Sequence, residues 1–574
     1  MPTSKNSLNS SKIANLRERN SPMNHALRRS ENNDDHVQNE NTYSSNDETG
    51  SYVPEKNEHG YQKLNKNSIN KNDFDIIKAY GLKRSKRNRQ LSVFGLTGLI
   101  FYAVSGGPFG VEQAVSHSGP LLTLIGFILF AILWAVPEAF ITAELSSAMP
   151  HNAGSAVWVT AAFGPNFGFM NAFLSWVSCV VDSAIYPTLL LSYVKEFHSN
   201  FHLKNENNDD TFLVLQPFIL YVLPISLGLA NLMGVKKVTD LLSSTMLLVL
   251  LPFIIMFFLA IPKMNISNFF IINQSNLQSN NIFATLHIIF WNLNYWDAIS
   301  TVTGEVKNVS SIPKSLLISV VLVTLTYILP LVTAIGVGDS HNFNNWQSGE
   351  FVKTAEKLGG TSLAICLTIS SLLSNIGLLQ GSLVNSAHQL DGMAELGFVP
   401  KIFARRMFES NCPVFAIVSC VGFVLVFENL TFMKLLEFVN STYCISMIME
   451  FAAFIYLRLK FGTALKSSYK VPIENKFYLI LMVTPCMFTC LLLLVAPIMT
   501  NNEYLPLFFV LVISVIGVTL LLALNKLRIV KQEWFSGDPP ESISDVTGNM
   551  VEAEGSRMEL LANENNNNRR FEGM

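Results

Sequence analysis

Ser105-Gly106-Gly107-Pro108-Phe109-Gly110 interrupts an apolar stretch that begins at Leu91. Three glycines favour backbone outside the helical region, and Pro108 supplies no N–H and crowds the preceding turn. A second interruption, Trp291-Asn292-Leu293-Asn294-Tyr295-Trp296-Asp297, places amides, aromatics and an acid within another apolar run. Backbone groups released at membrane depth have to face protein, ligand or water, because lipid offers them nothing.

Around these two breaks the chain reads as a membrane protein. Of its 574 residues 49% are hydrophobic and only 14% charged, against about 25% charged in soluble domains. Apolar segments long enough to cross about 30 Å of hydrocarbon fall near 92–115, 121–148, 166–194, 212–233, 239–262, 282–305, 315–337, 361–389, 413–428, 435–457, 478–499 and 504–525. The breaks lie in the first and sixth segments. Broken helices five spans apart are the pattern expected where two five-helix repeats of inverted topology meet around a midplane substrate site.

Residues 1–90 are rich in Asn, Ser, Lys and Glu and read as a disordered tail without a cleavable signal. Residues 528–574 read as a second tail, leaving 91–527 as the transporter domain. With the amino terminus in the cytosol, inner loops hold twelve Lys and Arg and outer loops six, before the basic cluster Lys83, Arg84, Lys86, Arg87 and Arg89 is added. Both tails are therefore expected in the cytosol. Sequons at Asn265, Asn273 and Asn429 fall on the outer side. The seven cysteines lack metal-site or disulfide spacing, and no nucleotide-binding loop or metal-ligand set stands out. The expectation is a gradient-driven carrier without cofactor or metal. It is neither an enzyme nor an ATP-driven pump, and it has no nucleic-acid partner.

From Leu91 through Val194 there is no Lys or Arg, yet Glu112, Glu138, Glu144 and Asp182 are present, and Asp297 and Glu450 follow in later spans. An ionised side chain at the bilayer centre costs about 2.5–3.5 kcal/mol even on the lenient insertion scale, so these acids should face the bundle interior. A cationic substrate would supply the missing charge, and an anionic one would be repelled. Trp291 and Tyr295 could enclose an ammonium by cation–π attraction, with Trp296 a weaker candidate. A helical advance of about 600° over six residues separates Glu138 from Glu144. His287 and His388 read as hydrogen-bonded structure rather than proton carriers.

The stretches SGGPFGVEQAV (105–115), WAVPEAFITAELSSAMPHNAGSAVWVTAAFGP (134–165), VDSAIYPTLLLSYV (181–194), FWNLNYWDAISTVTGEVKN (290–308) and EFAAFIYLRLK (450–460) resemble the amino acid–polyamine–organocation transporter superfamily. The resemblance covers roughly residues 90–500. It is closest to the plant and protozoan polyamine-uptake branch, which is related to the L-type amino acid carriers. It implies an all-α, twelve-helix, LeuT-like fold with a 5+5 inverted repeat, and a substrate held between helices one, three, six, eight and ten. Proton coupling is common in it, and the acid of the sixth helix, here Asp297, is associated with coupling. Asp182 resembles a characteristic acid of the polyamine branch. Glu144 belongs to a widespread pattern and is expected to anchor a loop or inner gate, while Glu138 stays open. Many members present a Gly-Ser-Gly loop whose amides receive an amino acid carboxylate. This chain has Gly106-Gly107-Pro108 instead, which tilts the choice toward amines lacking that group.

The candidate substrate-binding residues are Ser105, Gly106, Gly107, Gly110, Glu112, Asp182, Trp291, Asn294, Tyr295, Asp297 and Glu450, with Asp297 and Asp182 also the candidates for proton coupling. The expected function is import of polyamines such as putrescine or spermidine, coupled to protons and driven by alternating access. Two alternatives stand beside it: a neutral or cationic amino acid carrier, and a nutrient-sensing receptor on a transporter fold. The expected location is the plasma membrane, with endosomal or vacuolar membranes as alternatives.

Overall fold

The computed structural model describes residues 90–200, 215–272, 279–339, 342–407, 410–428, 430–462, 467–501 and 504–530. The basic cluster at 83–89, the sequons at Asn273 and Asn429 and nearly all of both expected tails lie outside these residues. Among the described residues every regular element is helical, with two isolated bridges, Leu91 to Val306 and Met407 to Cys412. In chain order the helices are α1 (Val93–Val104), α2 (Glu112–Ser118), α3 (Pro120–Ala148), α4 (Ser155–Phe163), α5 (Pro165–Asn200), α6 (Leu215–Met233), α7 (Val235–Ala260) and α8 (Ser279–Leu293). Then follow α9 (Trp296–Glu305, a 3₁₀ helix), α10 (Ser311–Val337), α11 (Glu350–Glu395), α12 (Val414–Phe427), α13 (Phe432–Phe461), α14 (Lys476–Asn501) and α15 (Leu505–Val530).

Nine of these (α3, α5, α6, α7, α10, α11, α13, α14 and α15) are long and apolar enough to cross a membrane. The span expected at 413–428 is the shorter α12, of 14 residues. The span expected at 361–389 is part of a 46-residue helix that turns sharply at Gly360, whose φ of 69° suits a residue without Cβ. Between the second and third spans the chain forms a nine-residue helix, α4, where no element was expected.

Both breaks are present, and each has its released polar groups met by side chains. At the first, Gly106, Gly107 and Gly110 all have positive φ. The Gly107 N–H donates to Ser105 Oγ (3.3 Å), and Ser374 Oγ of α11 donates to the Gly106 carbonyl (2.7 Å). A Cβ on Gly106 would stand 2.3 Å from Leu378. At the second break, Tyr295 adopts left-handed backbone (φ 68°, ψ 25°), and the Trp296 indole N–H caps the Leu293 carbonyl (2.8 Å). These contacts answer the requirement that non-helical backbone at membrane depth be satisfied inside the protein. Within α3, a π-helical turn at Ala131–Ala135 precedes Pro137 and accommodates a residue that cannot donate to the turn before it.

The long helix α5 occupies the middle of the bundle: 94% of its most apolar stretch is buried, against 17% in α15, which turns most of its surface outward. α5 packs along α11 and α13, and α1 lies against α7, α10 and α11. α11 meets the turn before α4 at Gly392, where an added Cβ would fall 2.2 Å from the Ala153 backbone nitrogen. Backbone cannot withdraw there as a flexible side chain could. Gly392→Ala is expected to destabilise the purified protein by about 1–3 kcal/mol, read as a lowered thermal midpoint, whereas Gly422→Ala, with open space around its Cβ, should leave the midpoint within experimental error.

Candidate substrate site

Tyr295 ties the second break to its surroundings. Left-handed backbone is strained for an aromatic residue and persists only where neighbours fix it. Its N–H donates to Tyr443 Oη of α13 (3.0 Å), its phenol pairs with Ser178 Oγ of α5 (2.6 Å), and its ring lies 4.4 Å from that of Tyr443. One turn earlier, Trp291 Nε1 donates to Asp182 Oδ1 (2.8 Å), and Tyr186 O–H donates to Asp182 Oδ2. The first break lies alongside, since a Cβ on Gly110 would come within 3.4 Å of the Trp291 ring. Asn294 is wholly buried and neither its Oδ1 nor its Nδ2 has a partner. A buried amide with its full hydrogen-bonding capacity unmet is where a polar ligand would be received.

Two carboxylates occupy the free amides at the breaks. Glu138 Oε1 of α3 accepts the N–H groups of Trp296 (2.8 Å) and Asp297 (3.3 Å), capping the amino-terminal end of α9. Tyr443 Oη lies 2.8 Å from the same oxygen and 2.6 Å from Asp297 Oδ1. At the first break Glu112 Oε2 accepts the Gly110 N–H (3.0 Å), Glu112 Oε1 accepts the Gly349 N–H just before α11 (3.2 Å), and Tyr193 O–H of α5 is directed at both oxygens. Glu112 thus clasps α2, α5 and the start of α11, with its oxygens turned to protein donors.

The sequence candidates fall into three places. Gly110, Asp182, Trp291, Asn294, Tyr295 and Asp297 converge at the breaks, and Ser105 to Gly107 line the first of them. Glu112 lies toward the Ser118 end of the broken pair. Glu450 belongs to a polar cluster with Asn171 and Ser446, whose Oγ lies 3.3 Å from Glu450 Oε1. Glu144 is the anchor of a loop: Arg458 Nη1 donates to Oε1 (2.5 Å) and Val471 N–H donates to Oε2 (2.7 Å). It and Glu138 engage different partners. His287 is held by Asn440, and His388 Nδ1 lies 2.9 Å from the Val384 carbonyl. Trp296 packs fully buried with its indole N–H used on Leu293. Near Leu91, a cavity of about 510 Å³ is lined in part by Gln90, Glu305, His388 and Arg406. There Arg406 pairs with Glu305 (2.9 Å) and Asp391 (2.5 Å).

Among the described residues, Glu112, Glu138, Asp182, Asp297 and Glu450 form no salt bridge, and no His, Cys, Asp and Glu group suited to a metal occurs. Sequence reasoning did not single out Tyr443, Tyr186, Ser178 or Tyr193. A usable signal existed for Tyr443, which stands seven residues before Glu450 with Ser446 between, on one helical face.

Residues 91–521 match the family described as Amino acid permease. Among curated relatives, a polyamine transporter of Oryza sativa subsp. japonica (PUT1) is 36% identical over 69% of this chain and 72% of its own length. A polyamine transporter of Arabidopsis thaliana (RMV1) is 35% identical over 67% and 76%. A mouse protein named large neutral amino acids transporter small subunit 2 is 27% identical over 58% and 62%.

Removing the Glu112 carboxylate would strand the Gly349 N–H, at a cost of about 1–3 kcal/mol if it is buried without a partner, while the Gly110 N–H would keep Tyr193 Oη (2.9 Å). Glu112→Ala is therefore expected to lower the thermal midpoint of the purified protein clearly more than Tyr193→Phe does. Equal midpoints for the two would contradict the clasp.

Proposed function

The chain belongs to the amino acid permease family, and from that premise we propose that it is a secondary carrier, not an enzyme, that imports polyamines of the putrescine and spermidine class. The observation that carries this reading is the occupation of the break amides by the protein's own carboxylates. A substrate carboxylate arriving at Gly110, Trp296 or Asp297 would meet Glu112 or Glu138 already in place, whereas an ammonium would be drawn to acids that lack cationic partners. The carbonyl ends of α1 and α8, the negative ends of their helix dipoles, also favour a cation. The names of the plant relatives agree with this choice.

In this reading Asp182 and Asp297 receive the amino groups, the Trp291 and Tyr295 rings flank the chain by cation–π contact, and Asn294 accepts or donates the remaining hydrogen bond. Ser105, Gly106, Gly107 and Gly110 line the path between, with Glu112 and Glu450 above and below it. The nine long helices, the shorter α12 and the broken pairs α1–α2 and α8–α9 make twelve crossings, arranged as two inverted five-helix repeats and two further helices. The broken helices rock in alternating access, with uptake coupled to protons through Asp297 or Asp182. Both tails face the cytosol of a cell whose plasma membrane holds the carrier.

Radiolabelled uptake in transport-deficient cells tests the proposal. Putrescine and spermidine should be taken up and should compete with one another, while leucine and arginine should compete weakly. Uptake of amino acids without polyamines would overturn it. Asp182→Asn removes one charge-assisted contact, worth about 1.5–3 kcal/mol, and should raise the apparent KM for putrescine by about 10- to 100-fold.

A further inference from the structure

We propose that Glu138, Tyr443 and Asp297 share a single carboxyl proton, carried by Asp297, and that Tyr443 relays it to Glu138 during transport. The inference rests on counting hydrogens. Tyr443 Oη accepts the Tyr295 N–H (3.0 Å) and approaches two carboxyl oxygens, Asp297 Oδ1 at 2.6 Å and Glu138 Oε1 at 2.8 Å. A phenol has one hydrogen to donate and an ionised carboxylate has none, so one of these contacts must be made by a carboxylic acid.

The surroundings decide which acid carries it. Glu138 Oε1 already accepts two backbone N–H groups at the start of α9, so it acts as an acceptor, and Glu138 Oε2 is buried with no partner to which an O–H could donate. Of the two arrangements in which both short contacts have a hydrogen, the one that leaves Glu138 Oε1 purely an acceptor runs from Asp297 O–H to Tyr443 Oη and from Tyr443 O–H to Glu138 Oε1. Relay is a concerted shift: Asp297 gives its proton to Tyr443 as the Tyr443 proton passes to Glu138. The phenol is regenerated, the charge moves from Glu138 to Asp297, and no other reactant is required.

Other ionisable groups face this trio from each neighbouring helix. They are Glu450 on α13, Cys179 on α5, Tyr295 at the break, and Cys486 and Cys490 on α14, with Asp182 of α5 behind Tyr295 and Cys179. Lys and Arg do not appear among them. An ammonium reaching Asp297 would favour its ionised form and so push the shared proton toward Glu138. Binding of the cation and movement of the proton would then be one event. This gives Glu138 and Tyr443 positioning and relay roles beyond the substrate contacts of the proposed function, and the coupling part of the inference rests on that function.

The test has two arms on the full-length purified protein. Infrared difference spectroscopy without substrate should show a protonated carboxyl band that disappears in Asp297→Asn and moves in Tyr443→Phe. A band insensitive to both would overturn the shared proton, whatever the substrate. In proteoliposomes, Tyr443→Phe and Glu138→Gln should lose about 5- to 150-fold more in uptake driven by a pH gradient than in putrescine exchange, the range of ordinary site-to-site coupling. Equal losses in both variants, with the wild-type pH profile kept, would overturn the relay. If the wild type moves no polyamine while the infrared result holds, the substrate assignment fails and the shared proton stands. Should one variant not fold, as judged by size-exclusion profile, the other decides.

Discussion

Backbone N–H and C=O groups freed from a helix inside a hydrocarbon layer must find partners in the protein itself, and the interior of this carrier is organised around that requirement. Each of the two breaks exposes such groups, and each draws in side chains from other helices. Ser374 comes from α11, Tyr193 from α5, Glu138 from α3 and Tyr443 from α13. The breaks therefore hold the bundle together as much as they interrupt it. The same contacts bring acids from distant parts of the chain to one place, since Asp182 and Glu138 are partners of the second break, which itself carries Asp297.

The breaks were readable in the sequence because Gly and Pro act locally: three glycines around Pro108 cannot continue a helix whatever packs against them. Asp182, Trp291, Tyr295 and Asp297 could also be picked out, as polar or aromatic residues in apolar runs. Pairing between helices could not be read. Nothing local says that Glu138 turns toward α9 and Glu144 toward Arg458, because a π-helical turn in α3 and the packing of α13 set those directions. Tyr443 looked like ordinary core, and only its partners give it a role. The bend at Gly360 escaped for a related reason, since continuous hydropathy marks a segment without fixing where its helix turns.

Glu112 shows how a residue of the expected type can serve another purpose. Its carboxylate was a candidate for an ammonium, yet its oxygens are engaged by Gly110, Gly349 and Tyr193. That engagement bears on substrate choice indirectly: it occupies, with a carboxyl group of the protein, an amide that a substrate carboxylate could otherwise use. Glu138 does the same at the other break. In the proposed function the two leave the breaks better suited to an amine than to a carboxylate, with the attraction for a cation supplied by the remaining acids.

A site of the proposed kind favours a cation and disfavours a substrate carboxylate at the Gly110, Trp296 and Asp297 amides. Putrescine and ornithine differ by that one group, so equilibrium binding of the two to the purified carrier is the most direct measurement. Putrescine should bind at least about tenfold more tightly, the equivalent of roughly 1.4 kcal/mol. Ornithine binding as tightly as putrescine, or more tightly, would contradict that preference.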